Sequence, residues 1–80
     1  MFDDWEGMDV REELSKRQKD VYHFIVVYLA MHGYPPTLRE IASAIGLAST
    51  NGVADHLKAL ERKGYVERKP GISRAITLVA

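Results

Sequence analysis

The sequence predicts a mainly helical α+β fold: three helices followed by a two-stranded antiparallel β-hairpin. Three observations predict it. Apolar residues recur at helical spacing in three runs before residue 65, and each run ends at a glycine, Gly33, Gly46 or Gly64. Two of the runs open on a hydroxyl residue with Gln or Glu three positions later, the pattern of a capping box. Beyond Gly64 the apolar period falls from 3.6 to 2, in two short segments separated by Pro70-Gly71.

The elements follow in order. Residues 1–13 carry six acids against Arg11 alone, a net −5, and show no complete helical stripe, so they read as an acidic, flexible N-terminal tail. Phe2, Trp5 and Met8 are spaced to share one helical face, so docking of the tail on a protein partner stands beside two plainer readings. Those are a disordered tail and one packed on its own domain. Residues 14–80 form the folded domain. Its first helix starts at the cap Ser15 with Gln18 as the box partner, and Val21, Phe24, Ile25, Tyr28 and Leu29 face the core. Tyr34-Pro35-Pro36 prevents continuation past Gly33, because proline restricts its predecessor and has no N–H. The second helix is capped by Thr37 with Glu40, turns Leu38, Ile41, Ala42 and Ile45 inward and stops at Gly46. After the tight Leu47-Ala48 connection, Ser49 or Thr50 caps a third helix over 49–63 whose stripe is Val53, Leu57 and Leu60. Residues 65–69 and 75–79 are the strands, and the tip between them carries cations.

The whole chain bounds the function. Eighty residues make one small core. The absence of cysteine removes disulfides and thiolate metal sites. No apolar run approaches the roughly 20 residues of a membrane span, and no signal peptide precedes the domain, so a cytoplasmic protein is expected. The net charge of zero conceals an asymmetry. Residues 14–80 carry ten Lys and Arg against five acids, a net +5, so a basic domain follows the acidic tail.

Three helices and a ribbon, with a short second helix and a tight turn before the third, describe a winged helix-turn-helix. Such a unit inserts the start of its third helix into the DNA major groove. Short polar side chains suit that end, since long ones hold the helix away from the bases, and the positive pole of the helix dipole faces phosphates there. Asn51 has the amide that pairs bidentately with adenine, and Asp55 can accept from a cytosine amine while repelling phosphate. Residues expected on the sugar-phosphate backbone are Thr37, Arg39, Thr50, His56, Lys58, Arg62, Lys63, Lys69, Ser73 and Arg74.

The stretches LSKRQKDVYHFI, GYPPTLREIASAIGL, STNGVADHLKALERKG and GISRAITL, spanning Leu14 to Leu78, resemble the DNA-binding domain of the LexA repressor family. The resemblance implies a winged-helix transcriptional repressor of the SOS response that reads a palindromic operator in double-stranded DNA. It also implies that Ser49, Asn51, Gly52, Ala54 and Asp55 line the bases. Proteins of the familiar pattern have proline at the position of Thr50, alanine at Gly52, and glutamates at Ala54 and Asp55. These departures bear on operator preference. The pattern also includes a C-terminal part that dimerises and cleaves itself with a Ser–Lys dyad. With Ala80 directly after the second strand, self-cleavage is not expected, and a monomer or weak dimer that pairs on DNA is. An excised fragment and a stand-alone domain both fit. The alternative function is a phage or mobile-element interaction protein that modulates a host repressor or docks a partner through the acidic tail.

Other chemistry finds little support. His23 and His32 are nine residues apart on one helix and face differently, so they share no ion, and His56 suits phosphate contact or packing better than metal. Ser15 and Lys16 diverge by about 100° around a helix and cannot act on each other. Asp55 and Glu61 are too far apart for paired-carboxylate work. Tyr34 and Tyr65 read as core-edge aromatics. No cofactor, metal or enzymatic activity is expected.

Overall fold

A computed structural model describes residues 13–69, 71 and 74–79. The expected tail, apart from Glu13, and the wing residue Ser73 lie outside the described residues. Helix α1 runs Lys16–His32, α2 Leu38–Ile45 and α3 Thr50–Arg62, followed by strands β1 Val66–Arg68 and β2 Ile76–Leu78.

Both capping boxes form. The Gln18 amide donates to Ser15 Oγ at 3.2 Å, and the Ser15 amide donates to Gln18 Oε1 at 3.0 Å. At α2 the Glu40 amide donates to Thr37 Oγ1 at 3.1 Å and the Thr37 amide to Glu40 Oε1 at 2.8 Å. Each box satisfies one helix-start N–H and the amide of the cap residue itself. Between the two candidates at α3 the cap is Ser49, whose Oγ accepts from the Asn51 amide at 3.1 Å, so the helix proper begins at Thr50. Gly33 and Gly46, both at φ 79°, end α1 and α2 in the left-handed conformation that glycine adopts at least cost.

The strands pair antiparallel with Val66 opposite Leu78, Glu67 opposite Thr77 and Arg68 opposite Ile76. They are shorter than the expected 65–69 and 75–79. Hydrogen bonds from Lys69 N to Ala75 O at 3.2 Å and from Val79 N to Tyr65 O at 3.0 Å still close the ladder at either end. Alternation holds within it: Val66 and Ile76 are buried, while Glu67 and Thr77 face solvent.

The core joins all five elements through Val21, Ile25, Ile41, Ala42, Val53, Leu57, Leu60, Val66 and Ile76. Of the α1 stripe only Val21 and Ile25 are fully buried; Phe24, Tyr28 and Leu29 are half-buried. α2 and α3 both pack on α1 and cover only part of its apolar face.

Candidate nucleic-acid interface

The buried stripe of α3 fixes its outer face. Val53, Leu57 and Leu60 each have no exposure, so the helix is held by one side. Asn51, Asp55, Lys58 and Arg62 then recur at i, i+4, i+7 and i+11 on the opposite side, and all four are exposed. Ser49 is exposed at the helix start, and Thr50, Gly52, Ala54 and His56 are half-buried along the flanks. The exposed ridge therefore runs from an amide through a carboxylate to two cations.

Gly52 sits where α3 passes the turn. A Cβ built there meets Leu47 Cδ1 at 3.2 Å, tighter than ordinary van der Waals contact. The turn and the first coil of α3 are thus closely apposed, which sets how the ridge stands relative to α2.

Arg39 on α2 and Lys69 after β1 are exposed on either side of a cleft between the helix start and the wing. Thr37 is half-buried and its hydroxyl caps α2. Two of the cations expected on phosphates also have protein partners. Lys63 Nζ donates at 2.9 Å to Glu13 O and at 2.9 Å to Gln18 Oε1, joining the end of α3 to the start of α1. The Arg74 guanidinium is turned onto Glu40, Tyr28 and the Pro35 carbonyl. These two positions brace the domain.

That second cluster has its own electrostatics. The Thr37 amide and then the Arg74 guanidinium hold the Glu40 carboxyl down at about 2, and the Glu40 carboxylate holds the Arg74 proton more firmly than usual. The Tyr34 ring, itself exposed, lies 4.8 Å from the Arg74 guanidinium carbon, and Tyr28 touches it edge-on. Tyr65, by contrast, packs edge-on against Tyr22 at the rim of the core.

Arg68 escapes the sequence reading. It lines the cleft beside Lys69, and the only signal for it was its place in a strand of alternating pattern. Among the described residues no group of three His, Asp or Glu side chains is placed to hold a metal ion, and no helix is long and apolar enough to cross a membrane.

Residues 11–75 match the family described as the LexA DNA binding domain. A LexA repressor from Geobacter metallireducens is 54% identical over 68 residues, covering 85% of this chain and 34% of that protein. One from Anaeromyxobacter dehalogenans is 58% identical over 65 residues, covering 81% and 28%. One from Sorangium cellulosum is 56% identical over 63 residues, covering 79% and 27%. The chain spans about a third or less of the length of these curated relatives.

Proposed function

The chain belongs to the LexA DNA-binding domain family, and on that premise we propose that it binds double-stranded DNA sequence-specifically as a repressor domain. α3 enters the major groove amino end first, with Ser49, Asn51, Gly52, Ala54 and Asp55 toward the base edges. The observation that carries this is the exposed ridge Asn51, Asp55, Lys58 and Arg62, backed by a fully buried stripe. A helix presenting a short amide first and cations later matches what a major groove offers: base edges at its floor and phosphates along its rims. Arg39, Thr50, His56, Lys58, Arg62 and Lys69 take the flanking backbone in this arrangement. Thr37 stands beside them, although its hydroxyl is already the α2 cap. Occupying an operator against polymerase then represses transcription.

One domain of this size grips a half-site, and a palindrome rewards two copies. The operator is therefore expected to be two-fold, with pairing on the DNA. The test is a binding selection from random duplexes followed by amide NMR titration with the winner. The amides from Ser49 through Asp55 are expected to shift most among the helices. A titration in which they stay fixed while the duplex binds elsewhere overturns the proposal.

A further inference from the structure

Two clefts border the wing, and they differ in charge. Arg68, Lys69 and Arg74 line both, and one adds the carboxylates Glu61 and Glu67. The other, about 560 Å³ between the start of α2 and the wing, has no carboxylate lining it. That volume is within the ordinary range for small-molecule sites, about 300–1,000 Å³. Its floor is apolar, from Pro36, Leu38 and Ile76, and its walls carry Arg39 on one side and Arg68 and Lys69 on the other. Arg74 also reaches it but is already paired with Glu40. Arg39, Arg68 and Lys69 have no carboxylate partner among the described residues. Arg68 adds an independent sign: its Nε is buried and finds no hydrogen-bond acceptor among the described residues. A buried N–H without an acceptor is unfavourable until one arrives.

We propose that this cleft seats a single phosphate of a nucleotide unit. The sugar rests on the apolar floor, and the phosphate oxygens are shared by Arg39 from α2 and by Arg68 and Lys69 from the wing. A phosphodiester of bound DNA and the phosphate of a free nucleotide offer the same chemistry. The DNA source rests on the function proposed above; the free-nucleotide source does not. A seat shared by two elements clamps the wing to the reading unit as it fills, so its two walls act on one charge.

That sharing makes the test sharp. The salt dependence of binding of the full chain to a selected duplex is measured for Arg39→Gln, Lys69→Gln and the double variant, with Lys19→Gln on α1 as control. Arg39, Lys69 and Lys19 are exposed, so the folds are expected to survive. Each cleft variant should lower the slope of log affinity against log salt by up to about one unit, and the double variant by no more than about one, because one phosphate is at stake. A double variant that lowers it by about two shows separate phosphates and overturns the seat. Unchanged slopes overturn it too, and if the Ser49–Asp55 amides still shift in that case, the DNA-binding reading survives alone. Deoxyadenosine monophosphate, titrated into the chain without duplex, covers the other source. Saturable shifts at Leu38, Arg39 and Lys69 that vanish in the double variant support a free-nucleotide seat, even if no duplex binds. If neither duplex nor nucleotide moves these amides, the seat does not exist.

Discussion

The Arg74 guanidinium meets both carboxylate oxygens of Glu40, at 3.0 and 2.9 Å, and so fastens the end of the hairpin turn to the first turn of α2. The same guanidinium donates to the Pro35 carbonyl at 2.9 Å and the Tyr28 hydroxyl at 3.3 Å. Arg74 holds a φ of 58°, left-handed backbone that is costly for a residue with a Cβ, and these contacts keep it there. Glu40 also closes the α2 capping box. One carboxylate thus serves the start of the helix-turn-helix and the seating of the wing together.

Acid should loosen this joint. The folded-state carboxyl of Glu40 lies near 2, below its ordinary 4.5, so its contribution is complete above about pH 4.5 and is lost as pH falls toward 2. Urea unfolding from pH 7 down to pH 2 is expected to show a falling midpoint over that window. Glu40→Gln should begin less stable at pH 7 and fall less. Parallel curves for the two proteins would remove the joint from the acid response.

Asn51→Ala is expected to cost about 1–3 kcal/mol at the selected site and little on random duplex. Gel shifts on both duplexes check this. Equal losses on the two would mean that Asn51 reads no base.

Lys63→Ala should act on stability rather than on phosphate contact, since two of the ammonium's three N–H donors already go to Glu13 O and Gln18. The expected loss is about 0.5–1 kcal/mol, reduced by solvent screening at this half-exposed position. Urea midpoints measure it, and the salt slope of DNA binding should match that of the unaltered chain.

Leu57→Ala empties a position with no exposure at the centre of the core. A cost of about 2–5 kcal/mol is expected. A domain of this length has only about 4–12 kcal/mol to lose. Thermal unfolding by circular dichroism should show a much lower midpoint or no folded baseline.

Gly52→Ala sets a propensity gain of about 1 kcal/mol against a 3.2 Å contact with Leu47 Cδ1. That methyl is the far end of a half-buried side chain and can turn aside, so a slightly higher unfolding midpoint is expected. A clear drop in the midpoint would show that the apposition of turn and helix is rigid.

The chain by itself determined the helix boundaries to within a residue, because caps, glycine stops and apolar periods are local devices. Ser15 with Gln18, Thr37 with Glu40, and Gly33 and Gly46 act within a few residues of where they stand. The same periodicity set the buried side of α3, and with it the outward ridge through Asn51 and Asp55. Tertiary structure alone decided what the cations do. Lys63 and Arg74 look like Lys58 and Lys69 in the sequence, yet their partners lie 45 and 34 residues away, at Gln18 and Glu40. Arg68 likewise read only as a strand residue until β1 was folded against the start of α2. A long charged side chain takes whichever acceptor the fold brings within reach, and that distance is a property of packing that no local spacing encodes.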